Sequence, residues 1–341
     1  MSARAVVLGA SGFAGAELLR LLENHPSLSV VAAAASASVG EAVTARLPTL
    51  ESLEGMRFVS VSEALEVEAD IVFSSLPHNA SMELFGEDSA YKIVDLGGDH
   101  RLRDPVGYER WFGRAHAHPE RLDEWVYGMT EFNREAIAKA ECVANPGCYP
   151  TAALLALLPL LREGAIEPAG IHIDAKSGVS GAGRAGGEGF DYASINENLS
   201  PYTVTGHKHI AEIEQELARV AETELRVSFV PHLVPMTRGL LASCAATLAD
   251  PAKDPAAVLE AAYRDEPFVR LAEGGLPHTK RLSGTNHAEV AARVDERTGR
   301  VLVFAAIDNL GKGAAGQAIQ NANLMLGFAE TDGLEVHPCL P

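Results

Sequence analysis

Positive charge is what this chain is shortest of. Lys and Arg number 28 against 46 Asp and Glu, a formal net charge of −18 over 341 residues. Nucleic-acid binding needs clustered cations on one face, so this balance argues against such a partner. A small anionic substrate needs only one or two local cations and remains open. Long apolar runs are also missing. None reaches the roughly 20 residues that cross a bilayer, and no signal-type apolar segment precedes the first strand. The expectation is a soluble, cytoplasmic protein with no membrane partner. Cysteine is sparse as well, with four residues, Cys142, Cys148, Cys244 and Cys339. They form no C-x-x-C pair and no metal-ligand spacing, which points to reduced thiols and no bound metal. Internal repeats and low-complexity tracts are absent. The length exceeds one comfortable core, so two domains are expected.

What is present begins at the N-terminus. Ala5-Val6-Val7-Leu8 reads as a short buried strand, followed by Gly9-Ala10-Ser11-Gly12-Phe13-Ala14-Gly15 and an amphipathic segment over 16–24. Strand, glycine turn and helix in this order, with G-x-x-G-x-x-G spacing, suit a dinucleotide. The glycines let the backbone approach a pyrophosphate, whose charge the helix N-terminus meets. A tight turn without a ligand is the other reading of the same glycines. A second strand over 29–34 ends in Ala35-Ser36-Ala37-Ser38, with no acid before Glu41 and no arginine immediately beside the serines. An Asp or Glu at this point would hold the ribose 2′-hydroxyl of NAD. Two hydroxyls, Ser36 and Ser38, without a carboxylate leave room for a 2′-phosphate, so NADP is preferred.

Short apolar strands continue at 71–74, 92–95 and 142–144, alternating with helical or loop segments. This is the α/β pattern of a Rossmann-type doubly wound parallel sheet. Ser75-Leu76-Pro77-His78 and Leu96-Gly97-Gly98-Asp99 follow two of those strands and are expected at the cofactor edge. Beyond the apolar run 152–161 the pattern changes. Strands at 171–175, 226–233, 240–248, 287–294 and 301–308, with few helices between, predict a second α+β domain built on a mixed sheet. The amphipathic segment 314–328 is expected to return to the first domain. The domains are then 1–148 plus 312–341 for cofactor binding, and 149–311 for catalysis and oligomerisation.

Cys148 lies in Asn145-Pro146-Gly147-Cys148-Tyr149-Pro150-Thr151, where a turn hands over to a helix. A thiol there feels the positive end of the macrodipole and unpaired N–H groups, which favour thiolate near neutrality. A covalent nucleophile needs that arrangement; a buried structural cysteine is the plain alternative. Proton donors and acceptors for it are His207 and His209 in Gly206-His207-Lys208-His209, ahead of a helix with Ile213, Leu217 and Val220 as its buried stripe. Glu212, three residues after His209, can share its face and orient an imidazole. H-x-H also occurs in zinc sites, but no third ligand stands at a suitable spacing. Ser177-Gly178-Val179-Ser180-Gly181-Ala182-Gly183-Arg184 offers N–H and hydroxyl donors and a cation for a phosphate or carboxylate. The lesser alternative is a flexible surface loop with an incidental arginine. Arg238 either binds a substrate carboxylate or pairs with one of the many acids.

Assembled, these segments resemble the N-acetyl-γ-glutamyl-phosphate reductases of arginine biosynthesis, a family placed with the aspartate-semialdehyde dehydrogenases. The resemblance spans nearly the whole chain: G-A-S-G-F-A-G at 9–15, P-G-C-Y-P-T-A around Cys148, S-G-V-S-G-A-G-R ending at Arg184, N-E-N-L followed by G-H-K-H-I-A-E-I, P-H-L-V-P-M-T-R-G, and D-N-L-G-K-G-A-A-G-Q. It implies that Cys148 attacks an acyl phosphate, and that NADPH reduces the resulting thioester to a semialdehyde. His209 is then the acid/base, with His207 and Glu212 beside it, and Ser177, Ser180, Arg184 and Arg238 face the substrate. Gly9, Ser11, Gly12, Phe13, Ala14 and Gly15 hold the dinucleotide, with Ser36, Ser38, Ser75, Leu76 and Pro77 along its edge. Asn309, Lys312, Gly313 and Gln317 approach the nicotinamide. Two positions depart from the family pattern: Ala37 stands where many relatives carry arginine, and Ala211 where they often carry proline. A homodimer or homotetramer is implied.

Three other readings compete. A sister group reduces a carrier-protein-linked aminoadipyl phosphate in lysine biosynthesis; an acidic carrier would want a basic docking face, which a charge of −18 disfavours. A non-catalytic NADP-binding sensor has no need of Cys148, and a cysteine hydrolase leaves the glycine turn unexplained. Alkylation of Cys148 is expected to accelerate from mildly acidic to neutral pH, in step with activity. A rate independent of pH over that range contradicts an activated thiol.

Overall fold

Alternation of short apolar strands with helices produces two separate sheets in the computed structural model, which describes residues 2–87, 89–184, 191–272 and 274–338. Cys339 lies outside the described residues. The longer helices are, in chain order, α1 (Phe13–Leu22), α2 (Pro105–Phe112), α3 (Thr130–Ile137), α4 (Cys148–Arg162), α5 (His209–Ala221), α6 (Pro255–Tyr263) and α7 (Gly316–Leu326). The chain divides into two units, Met1–Pro146 with Ala314–Val336, and Gly147–Gly313 with His337–Pro341.

The first unit holds β1 (Ala3–Leu8), β2 (Leu28–Ala34), β3 (Ile71–Ser74), β4 (Lys92–Asp95), β5 (Trp125–Tyr127) and β6 (Cys142–Ala144). They form one parallel sheet in the order β2-β1-β3-β4-β6-β5. Register aligns their C-terminal ends: Leu8 lies opposite Ala34 and Ser74, Ser74 opposite Asp95, and Asp95 opposite Ala144. The glycine turn, the Ser36–Ser38 turn, Ser75 and the Leu96 loop therefore leave from one edge, where open parallel sheets bind ligands. Continuous apolar strands such as Ile71-Val72-Phe73 are buried throughout, as both faces of such a sheet require. Val6, Leu8, Val72, Ile93, Phe85 and Trp125 belong to one core cluster.

The returning helix α7 is part of this unit, held by buried amides rather than by apolar contact alone. Gln317 Nε2 donates to Gly128 O (2.9 Å) and Thr130 Oγ1 (2.7 Å); Asn321 Nδ2 donates to Gly128 O (2.8 Å) and Asn145 Oδ1 (3.0 Å). Asn145 Nδ2 in turn donates to Ala314 O at 3.1 Å. Buried amide donors need such partners, and these bonds together fix one helix register.

The second unit holds β7 (Ile171–Gly178), β8 (Ser200–Pro201), β9 (Val227–Val234), β10 (Leu240–Thr247), β11 (Val269–Leu271), β12 (Ala288–Asp295) and β13 (Arg300–Ile307). Their order is β11-β12-β13-β10-β7-β9-β8, mixed in direction: β7 with β9 and β11 with β12 are parallel, the rest antiparallel. Helix α4 packs on β10, β12 and β13 and against α5 and α6. It is buried from Tyr149 to Leu161, so it is apolar all round. Each Leu buried there stabilises by about 1.5–3 kcal/mol. The short strands β5, β8 and β11 give little sequence signal, because a strand of two or three residues is defined by its neighbour. Among the described residues no helix is long and apolar enough to cross a membrane.

Candidate active site

Cys148 is the first residue of α4, capped by an extended Gly147 (φ −69°, ψ 155°). Pro150 falls in the first turn, where its missing N–H leaves no bond unmade. The thiol is half-buried, unlike Cys244, whose thiol burial pushes up to about 12. Cys142, Cys148 and Cys244 are not in disulfides. Gly313 packs against the cysteine: a Cβ at that position would stand 2.8 Å from the Cys148 Cβ.

Glu212 ties this turn to α5. Its carboxylate is buried (2% exposed) and its Oε1 accepts the Gly147 N–H at 2.8 Å. His209 opens α5 one turn earlier. His207, just ahead of it, does two things for the helix start: its carbonyl accepts the Ile210 N–H (3.0 Å), and its ring Nδ1 accepts the His209 N–H (3.2 Å). Those are two of the four donors that every helix start leaves without intrahelical partners. An accepting Nδ1 requires the neutral ring with its proton on Nε2.

Tyr149, Tyr202 and Phe229 enclose the histidines. Ring centroids of Tyr149 lie 5.6 Å from His207 and 5.9 Å from His209, and those of Tyr202 and Phe229 lie 5.6 and 5.5 Å from His207. Tyr202 OH donates to Tyr149 OH (3.1 Å), which donates to His232 O (3.1 Å). Burial pushes the Tyr149 phenol far above its ordinary value, with Tyr202 and Cys148 adding to it. Burial also pushes Tyr202 up to about 12, Cys148 acting the same way. Both phenols therefore stay protonated at neutral pH, within electrostatic reach of the thiol. The two tyrosines escaped the sequence reading because only the fold sets them against His207.

Ser177 is the last residue but one of β7 and Ser180 lies in a tight turn, Val179–Ala182; both are buried. The turn is pinned by Val179 N–H on Met236 O (2.9 Å) and Ser180 N–H on Thr237 O (3.2 Å). Asn309 joins it from the other side, its Nδ2 donating to Ser180 Oγ (2.9 Å) while its Oδ1 accepts the Gly239 N–H (2.8 Å). Arg184 is exposed at the end of this segment; residues 185–190 lie outside the described ones. Of the two readings of Arg238, the ion pair is present: Nε and Nη2 meet Asp308 Oδ2 and Oδ1 at 2.9 and 3.2 Å. Asp308 also accepts N–H groups of Gly284, Leu310 and Gly311. Lys312 is fully buried, its Nζ 5.9 Å from the Phe268 ring centroid. Among the described residues no group of three or more His, Cys, Asp or Glu could hold a metal ion.

The dinucleotide turn in the first unit fits its ligand. Gly9 adopts φ +73°, and a Cβ there would stand 2.5 Å from Ser75 O; a Cβ at Gly15 would collide with the Gly9 carbonyl. Ser75 Oγ closes the turn onto Leu8 O (2.9 Å) and Gly9 O (3.2 Å). Helix α1 begins at Phe13 with Gly12 as cap and no side-chain capping hydrogen bond, the kind of terminus that suits an anion. The buried Gln317 Oε1 has no hydrogen-bond partner, an acceptor suited to an amide N–H. After β2, Ser36 is exposed, while the Ser38 hydroxyl is buried without a partner.

Comparison with known proteins agrees with this geometry. Residues 4–140 match the family described as semialdehyde dehydrogenase, NAD binding domain, and residues 148–309 the one described as semialdehyde dehydrogenase, dimerisation domain. The chain is 46% identical to the N-acetyl-γ-glutamyl-phosphate reductase of Geobacter metallireducens, over 98% of this chain and 99% of that one. It is 48% identical to that of Desulforudis audaxviator, over 96% of each. Aspartate semialdehyde dehydrogenase II from Vibrio cholerae shares the fold at a TM-score of 0.72 and 20% identity, over 96% of this chain and 99% of that one. The protein is thus one of the semialdehyde dehydrogenases, oxidoreductases with a nicotinamide-dinucleotide-binding domain. Within that class the chain belongs to the N-acetyl-γ-glutamyl-phosphate reductase family.

Replacing Glu212 by Leu leaves the buried Gly147 N–H without its acceptor and is expected to destabilise by about 1–3 kcal/mol. Glu212→Gln keeps an acceptor and should lose less. Urea unfolding of both variants checks this, and an unchanged midpoint for Glu212→Leu would contradict it.

Proposed function

We propose that the protein reduces N-acetyl-γ-glutamyl phosphate to N-acetylglutamate semialdehyde and phosphate, in arginine biosynthesis, with NADPH and through a thioester on Cys148. The observation that carries this reading is a cysteine at a helix N-terminus whose turn is bonded to Glu212, on the helix that His209 opens. The thiol gives its proton to the His209 imidazole and becomes the nucleophile. Cys148 Sγ then bonds the γ-acyl carbon, the carbon–oxygen bond to phosphate breaks, and phosphate departs. When bound, NADPH supplies hydride to such a thioester carbonyl. Collapse of the thiohemiacetal frees the aldehyde, its oxygen losing a proton as the carbon–sulfur bond breaks and the thiolate returns. His209 is the acid/base because the His207 Nδ1 already accepts a main-chain N–H. A neutral His207 inside an aromatic enclosure suits support of that helix start rather than proton exchange.

Ser177, Ser180 and Arg184 supply donors and a cation for the anionic substrate, in keeping with the glycine–serine turn they bracket. Arg238 serves by neutralising Asp308, which organises the Leu310–Gly311 backbone next to Lys312. Gly9 to Gly15 hold the dinucleotide, with Ser36, Ser38, Ser75, Leu76 and Pro77 beside it and Asn309, Lys312, Gly313 and Gln317 toward the nicotinamide. The first unit is the cofactor domain, and the second carries catalysis and assembly into a cytoplasmic homodimer or homotetramer.

The reverse reaction tests this directly: reduction of NADP⁺ by N-acetylglutamate semialdehyde, with and without inorganic phosphate. A phosphate-dependent rate is expected, falling on the order of 10³-fold or more in Cys148→Ser. No rate from folded protein that binds NADP⁺ would sink the reading and direct the search to the carrier-linked aminoadipyl substrate.

A further inference from the structure

The turn after β2 raises a physical difficulty. Reading a 2′-phosphate takes a nearby cation, and Ala35-Ser36-Ala37-Ser38 contains none in a chain of net charge −18. The fold brings one from elsewhere. Residues 56–59 return along β2 as an extra edge: Val59 N–H donates to Ala33 O (3.0 Å) and Ala35 N–H to Val59 O (3.1 Å). The same residues pair with the chain beyond the turn, through Gly40 N–H on Phe58 O (2.8 Å), Phe58 N–H on Glu41 O (2.9 Å) and Val43 N–H on Met56 O (3.0 Å). Arg57 rides on this doubly anchored segment, and its Nη1 donates to Gly40 O at 2.6 Å.

Gly40 belongs to the turn that carries Ser38, closed by Glu41 N–H on Ser38 O at 3.0 Å. It takes φ +83° with open space where a Cβ would stand. The guanidinium is therefore fastened to that turn through one N–H, leaving the others of its five for a ligand. Among the described residues no carboxylate pairs with Arg57, whereas the neighbouring Arg46 is already matched by Glu41 at 2.9 Å. Ser36 is exposed on the same turn, and the Ser38 hydroxyl is buried there without a partner. Together these are a cation, an open hydroxyl and a second, unsatisfied hydroxyl, with Glu41 at the end of the turn paired to Arg46.

We infer that Arg57 is the specificity-determining residue of the cofactor site, recognising the 2′-phosphate of the dinucleotide together with Ser36 and Ser38. The inference rests on the NADP reading above and deepens it. Arginine matches phosphate geometry and stays charged at any working pH. Its loss should weaken only the cofactor that carries the extra phosphate.

The test is equilibrium binding of NADPH and NADH to the full chain, followed by nucleotide fluorescence, for the native protein, Arg57→Gln and Arg57→Lys. The expectation is that Arg57→Gln raises the NADPH Kd about 10-fold or more and leaves the NADH Kd within about 2-fold. Arg57→Lys, which keeps the charge, should retain most of the preference. An unchanged NADPH Kd in Arg57→Gln, or equal losses for both nucleotides, overturns the role of Arg57 while leaving an NADPH preference of the native protein intact. Equal native affinity for NADPH and NADH instead overturns the NADP reading itself.

Discussion

The hydrogen bond from the Gly147 N–H to the Glu212 carboxylate is the constraint on which the arrangement around Cys148 depends. A carboxylate buried without such partners would cost several kcal/mol. Here it meets the capping residue of α4, where the helix macrodipole also favours negative charge. One bond thereby fixes the start of the cysteine helix to the first turn of the helix that His209 opens. It also sets the charge balance. In the proposed mechanism a Cys148 thiolate adds a second anion at that terminus, and a protonated imidazole at the head of α5 would offset the pair. Thiolate and imidazolium together are the state in which a cysteine nucleophile attacks.

The same economy of buried polar groups runs through the rest of the fold. Asp308 neutralises Arg238 and orders three backbone N–H groups. Asn309 joins the serine turn to Gly239 by both ends of its amide. In the other unit, Gln317 and Asn321 hold α7 through Gly128, where a side chain would collide with the Asn321 amide. Apart from the Gln317 carbonyl oxygen, which has no partner, these polar groups are taken out of water and completed by the chain itself. Arg238, left open by the sequence between substrate contact and an ion pair, and Asn309, which the family resemblance assigns to the cofactor, thus hold together the segments around them.

Much of this was legible in the sequence where the signal was local. The glycine turn, the cysteine at a turn-to-helix boundary, the paired histidines at a helix start and the change from a parallel to a mixed sheet all follow from spacing and periodicity over a few residues. Phe13 rather than residue 16 opens α1, since Gly12 can cap a helix without a side chain. Val220 is only half-buried, as the end of α5 runs outward. What escaped was non-local. Arg57 reaches the turn after β2 only because 56–59 pairs on two sides; Tyr202 meets His207 across a loop; Asp308 finds Arg238 from 70 residues away. No periodicity within a segment encodes such partners. For arginines the plain expectation of a solvated side chain hides them further.

The central claim is a covalent acyl group on Cys148, and mass spectrometry tests it most directly. The protein is incubated with N-acetyl-γ-glutamyl phosphate in the absence of any nicotinamide nucleotide, quenched in acid and digested. An N-acetylglutamyl thioester on the peptide containing Cys148, removed by hydroxylamine, is the expected product. Phosphate release with no adduct on that peptide, or an adduct on Cys142 instead, would contradict it.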